Sequence, residues 1–97
     1  MKKRRARNFE DPKYIEWRKK VYKRDKYKCQ FPGCKLRRRL NAHHIRRWAD
    51  FPTLRFILEN GITLCQKHHK QICGKEEQYV LMFLQILLDK IKREYGF

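Results

Sequence analysis

Two short-spaced pairs of metal-ligating side chains constrain this chain more than any other feature. Cys29-x4-Cys34 brackets a Pro32-Gly33 turn, and Cys65-x2-His68 stands where a helix is expected to begin. Each spacing lets both side chains reach one ion, and zinc accepts three thiolates and one imidazole in a closed tetrahedron. Thirty residues lie between the pairs, so a single ion would tie the turn to the helix. The chain has 97 residues, enough for one domain with a small core, and such domains commonly rely on a staple. The alternative use of four cysteines is in disulfides. No apolar stretch follows the basic start Met1-Lys2-Lys3-Arg4-Arg5, so a secretory signal is not expected and metal binding is.

Local signals fill in an α+β architecture around those pairs. Residues 1–10 read as a basic flexible arm, and residues 11–97 as one domain with its core over 25–74. Asp11-Pro12 is a helix start, with Asp as cap and Pro at the first helical position. Ile15, Arg18, Val21 and Tyr22 follow at helical spacing, so a helix of about 12–14 residues is expected, ending near Arg24-Asp25. Tyr27 to Phe31 reads as a short strand and Arg38 to Ile45 as the returning one, with Leu40 and Ala42 on one face. Thr53 to Leu58 reads as a helical turn, Ile62-Thr63-Leu64 as a brief strand, and a helix starts at Cys65 or Gln66. Gly74 interrupts that helix. A long C-terminal helix over 76–95 is then expected, with Glu76 and Glu77 in its first turn, Lys90, Lys92 and Arg93 near its end, and Gly96 as its stop.

The charge indicates a partner. Lysine plus arginine number 26 against 10 acids, a formal charge of +16. Self-repulsion of that size is most simply explained by a polyanionic partner. Residues 1–28 are net +9 and residues 29–74 net +7, whereas residues 75–97 are neutral. From Tyr79 to Leu88 all residues but Gln85 are apolar, too short a run to span a bilayer yet wider than one amphipathic stripe. Val80, Leu81, Phe83, Leu84, Leu87, Leu88 and Ile91 are therefore expected to divide between the core and an interface, with a homodimer or a larger protein partner as the cover.

Five residues exceed what one zinc needs: His43, His44, Asn60, His69 and Cys73. On a strand, His43 and His44 point to opposite faces. On a helix, His69 points about 100° away from His68 and can serve a second ion. Cys73 shares a helix face with His69, and the favoured expectation for it is packing rather than ligation.

The stretch from Trp17 to Lys70 resembles the HNH endonucleases. The resemblance rests on Arg24-Asp25-x-Tyr27-x-Cys29, Gly33-Cys34, Ala42-His43-His44-Ile45, Leu54-Arg55-Phe56, Glu59-Asn60-Gly61-Ile62-Thr63-Leu64-Cys65 and His68-His69-Lys70. The compact layout is similar to small stand-alone phage proteins of that family, often found beside DNA-packaging genes. The likeness implies a ββα-metal core of treble-clef type with a structural zinc on Cys29, Cys34, Cys65 and His68. That core would be flanked by the N-terminal helix and the long C-terminal one.

The resemblance also implies roles. His44 would be the general base and Asn60 the residue that fixes the loop orienting it. His43 and His69 would hold a catalytic divalent ion, Mg²⁺, Mn²⁺, Ni²⁺ or Co²⁺. The activity implied is hydrolysis of DNA phosphodiesters with low sequence specificity, nicking or cutting to leave 5′-phosphate and 3′-hydroxyl ends. Arg37, Arg38, Arg39, Arg46, Arg47 and Lys70 flank the site and are expected to bind phosphates. The expected setting is the bacterial cytoplasm, with a phage origin implied by the same likeness. The competing expectation is a non-catalytic zinc module that binds nucleic acid, or an accessory subunit of a DNA-packaging machine.

Overall fold

A computed structural model describes residues 9–96; most of the basic arm expected over 1–10 lies outside them. The order of elements is helix α1 (Pro12–Arg24), strand β1 (Leu40–His44), strand β2 (Gly61–Cys65), helix α2 (Gln66–Ile72) and helix α3 (Val80–Tyr95), with 3₁₀ turns at Pro52–Leu54, Leu58–Asn60 and Glu76–Tyr79. The fold is a small α+β arrangement in which β1 and β2 form a two-stranded antiparallel sheet. The register pairs Leu40 with Cys65, Ala42 with Thr63, His43 with Ile62 and His44 with Gly61.

α1 begins as the sequence indicates. Asp11 accepts the Lys13 N–H at 2.9 Å and Pro12 takes the first helical position, which satisfies an otherwise orphaned donor. Its buried row is Tyr14, Trp17 and Val21, not the expected row through Ile15, Arg18 and Tyr22. Ile15 is exposed. The larger rings at Tyr14 and Trp17 have more apolar surface to bury than Ile15, and they set the rotation of the helix.

The sheet is covered on both faces. Tyr14, Trp17 and Val21 pack with Ala42 on one side. On the other, Ile62 and Leu64 join Ile45, Ile72, Val80, Phe83 and Leu87. Every residue of β2 is buried as a result. Gly61 is needed at the α1 face, because a Cβ there would sit 2.5 Å from Val21 Cγ2 and 2.6 Å from Trp17 Cζ2. Gly61→Ala is therefore expected to destabilise the fold by about 1–3 kcal/mol through overpacking. In a thermal melt this lowers the midpoint by roughly 4–8 °C for each kcal/mol. An unchanged midpoint would show that α1 yields without strain.

Asp25 fastens α1 to the sheet. Its buried carboxylate accepts the Thr63 N–H at 2.8 Å and is forked by the Arg24 guanidinium at 2.9 and 3.0 Å. The same guanidinium donates to the carbonyls of Leu58 and Gly61. Lys90 of α3 brings its ammonium to 3.8 Å from the carboxylate. Four segments therefore meet at one buried charge.

Two further expected features differ. Tyr27 to Phe31 is not a strand: Lys26 and Tyr27 take φ of +56° and +55°, a left-handed bend that an extended ladder does not permit. What remains of pairing is Gln30 N–H to the Thr63 carbonyl at 2.9 Å. The C-terminal helix also starts later than residue 76, since Glu76–Tyr79 forms a 3₁₀ turn before Val80. Gly74 and Gly96 do interrupt and stop the helices, at φ of +86° and +74°. No helix among the described residues is long and apolar enough to cross a membrane.

α3 divides its apolar residues between the core and the surface. Val80, Phe83 and Leu87 face inward, whereas Leu81 is 81% exposed and Leu84, Leu88 and Ile91 are also exposed.

Candidate functional site

The Cys29–Cys34 turn, the end of β2 and the first turn of α2 converge. The ligand atoms of Cys29, Cys34, Cys65 and His68 all lie within 4.8 Å of one another. Cys65 Sγ is 3.3 Å from His68 Nδ1, Cys29 Sγ is 3.7 Å from the same nitrogen, and Cys34 Sγ is 4.0 Å from Cys65 Sγ. A tetrahedral zinc requires about 3.8 Å between sulfurs and about 3.6 Å between sulfur and nitrogen. The donor set and its spacing fit a metal such as zinc.

Local structure holds these donors in place. Cys29 N–H donates to Leu36 O, and Cys34 N–H to Phe31 O, so the loop between them is closed by its own backbone. Phe31 stacks on the His68 ring at 4.1 Å between centroids, nearly parallel. Burial pushes the Cys29 thiol up to about 12. Burial also raises Cys65, but the His68 backbone N–H and the neighbouring thiols outweigh it and leave that thiol below its ordinary value. Burial, then the charge of Lys67, lowers the His68 pKa and favours the neutral imidazole that a metal needs. A cation is what compensates a thiolate buried as deeply as Cys29.

β1 sends its two histidines to opposite faces of the sheet. His43 lies against Phe83, and its ring centre is 5.5 Å from that of His69 on α2, edge to face. His44 stacks on Trp17 at 4.1 Å with 13° between planes, and Trp48 meets it edge-on. His44 Nε2 is 2.9 Å from the carbonyl oxygen of Arg55. A carbonyl only accepts, so Nε2 carries the hydrogen and the neutral ring keeps its lone pair on Nδ1.

Asn60 clasps the loop between the strands. Its amide oxygen accepts the Arg46 N–H at 2.8 Å, and its nitrogen donates to the carbonyls of Arg46 and Leu54. That clasp sets the backbone one residue before the Arg55 carbonyl that holds His44. Among the described residues, no other trio of His, Cys, Asp or Glu gathers its ligand atoms as closely as the Cys29 group. Cys73 does not pack as expected: it is exposed, with Sγ 3.8 Å from His69 Nε2. Gly74 turns the chain directly after it, which ends the helix before Cys73 can reach the core.

The basic residues separate into two groups. Arg38, Arg39 and Lys70 line a concavity of about 560 Å³ together with Lys67 and Gln66, beside the Cys/His cluster. Arg37 donates to the Lys26 carbonyl at 2.8 Å. Arg46 pairs with Glu77 at 2.6 Å and Arg47 with Asp50 at 3.5 Å. A second concavity of about 370 Å³ runs along β1 from Tyr14 and Arg18 to Asn41 and His69.

Three contributors escaped the sequence reading: Trp17 under His44, the Arg55 carbonyl, and Trp48. The spacing Tyr14-x2-Trp17-x3-Val21 is a legible helical row and would have found the first. A backbone carbonyl leaves no mark in a sequence. Neither a family model, nor a curated protein, nor a solved structure matches this chain.

Proposed function

We propose that the chain is a metal-dependent DNA endonuclease of the HNH type, built on a treble-clef ββα-metal core. The observation that carries the reading is the split at β1. One histidine is delivered to His69 on α2, while its neighbour is held in a fixed tautomer by the Arg55 carbonyl. The order β1, β2, α2 and the four-donor cluster agree with such a core.

Each residue then has a task. His44, hydrogen on Nε2, accepts a proton from water through Nδ1. Asn60 keeps the loop in register so that the Arg55 carbonyl stays in reach. His43 and His69, whose ring centres lie 5.5 Å apart, would hold a divalent ion. When bound, that ion supplies charge stabilisation at the phosphorane and the leaving oxygen. Two protein ligands leave positions open for water and phosphate. Cys29, Cys34, Cys65 and His68 would hold a structural zinc that keeps α2 against the sheet.

The burial of His43 at 4% and His44 at 3% has a consequence. A phosphodiester reaches His44 only if part of its cover moves, and Trp48 is the less buried of the two indoles against it. The same burial favours a second reading, in which the histidines are core residues and the chain is a zinc module that binds nucleic acid. Plasmid cleavage at low salt with Mg²⁺, Mn²⁺, Ni²⁺ or EDTA, for wild type beside His44→Ala, separates the two. Metal-dependent nicking by wild type alone supports the nuclease; retarded DNA without cleavage in every metal supports the module.

Either reading places phosphates over the basic concavity. The double substitution Arg38→Ala with Lys70→Ala is expected to weaken binding of all sequences alike. The slope of log K against log salt should flatten by about 2, since each phosphate contact contributes roughly 0.9. An unchanged slope would move the DNA to another face.

A further inference from the structure

The apolar residues that α3 leaves exposed are Leu81, Leu84, Leu88, Ile91 and Tyr95. They are separated by three, four, three and four residues, the a/d seam of a coiled coil over two heptads. The seam runs beside the inward row of Val80, Phe83 and Leu87 rather than coinciding with it. We propose that α3 pairs antiparallel with α3 of a second copy of this chain, centred on Leu88.

Several observations select that occupant. The chain's own first eight residues, Met-Lys-Lys-Arg-Arg-Ala-Arg-Asn, offer no apolar run to cover the seam. A nucleic acid does not bury leucines. The segment 75–97 is neutral within a chain of +16, so this is where two copies approach with least repulsion. Direction follows from the flank and the bodies. Gln85 holds Asp89 at 2.9 Å along one side of the seam, and Lys92 lies on that same side. Reversing the second helix lays its Lys92 over Gln85 and Asp89. A parallel pair would set Lys92 against the row of Leu87, which each copy buries in its own core. Residues 91–96 are all exposed; antiparallel pairing lays this end along the first turns of the other helix and keeps the basic bodies toward opposite ends. Leu81 then meets Tyr95, Leu84 meets Ile91, and Leu88 meets itself.

Two heptads make a short seam, so the dimer is concentration-dependent. Light scattering and sedimentation of the zinc-loaded full chain are expected to show a mass rising from 12.1 kDa toward twice that value. Raising salt should strengthen association, because it screens the repulsion between copies. Leu84→Lys with Leu88→Lys should stay monomeric at every concentration, with unchanged circular dichroism and zinc content. Both positions are exposed, so the fold should tolerate them. In a Cys73→Ser background, Leu88→Cys should cross-link to itself on mild oxidation. Leu81→Cys alone should not, and Leu81→Cys with Tyr95→Cys should. Within one helix those two positions are about 21 Å apart, too far to bridge internally. A wild type that remains monomeric into the millimolar range would overturn the proposal, as would association that survives the double lysine variant. Efficient cross-linking of Leu81→Cys alone would overturn the antiparallel arrangement. Binding of the seam to anionic phospholipid vesicles without self-association would replace the second copy by a membrane surface.

Discussion

Cys29→Ser is expected to abolish cooperative folding, not to trim it. The sulfur is buried in the same cluster as Ile62 and Leu64 and stands 3.7 Å from His68 Nδ1. Zinc on a site of this donor type contributes about 10–16 kcal/mol in apparent terms. A chain of this length has a net stability of only about 5–15 kcal/mol. A zinc bound there would therefore decide whether the domain folds. Serine offers a hard, weakly acidic oxygen in place of a thiolate, and its hydroxyl would be buried among apolar side chains. The expected result is loss of the thermal transition in circular dichroism and, by mass spectrometry of the metal, loss of the bound zinc that wild type is expected to carry. Chelation of wild type should reproduce the same state, and acid should do so by protonating the thiolates. Cys73→Ser provides the control. Its thiol is exposed and outside the cluster, so melting and zinc content should be unchanged. A Cys29→Ser protein that melts like wild type with a full zinc complement would overturn the structural role.

The two Cys/His pairs were legible because coordination of one metal would impose their spacing on the sequence. Cys29-x4-Cys34 and Cys65-x2-His68 needed only a turn and a helix start between them and one point in space, and the fold brings their four atoms within 4.8 Å. β1, β2 and α2 were legible for a similar reason: alternation along Leu40 to His44 and the Gly61 break leave local marks. The orientation of α1 was misread, because the row through Ile15 was followed although Tyr14, Trp17 and Val21 form an equally legible row with larger rings to bury. The Tyr27 to Phe31 strand was misread. Its residue types favour extension, but the left-handed Lys26 and Tyr27 are imposed by the Cys29 loop and by Asp25 reaching Thr63. Nor could the sequence show that His44 is set by a carbonyl, since that partner is backbone.

The His44→Ala substitution should separate chemistry from binding. In the proposed mechanism His44 is the only side chain that accepts the proton from water, and removal of a positioned general base costs about 10²–10⁴-fold in rate. DNA affinity should be nearly unchanged, because His44 is buried and the phosphates would be met by Arg38, Arg39 and Lys70. The fold should survive with a lower melting midpoint. The ring stacks on Trp17 and donates to Arg55, and its loss leaves a gap that costs of order 2 kcal/mol. That loss of stability alone does not distinguish a base from a core residue, so two further readouts are needed. Added imidazole should restore part of the cleavage rate, since it can enter the gap and supply the missing proton acceptor. It should not restore the rate of His43→Ala, whose lesion lies at the proposed ion rather than at the base. Wild-type turnover by His44→Ala would remove His44 from the mechanism. If wild type itself binds DNA and cleaves in no metal, the two buried histidines are core residues, and the chain is a zinc module whose activity is to hold nucleic acid.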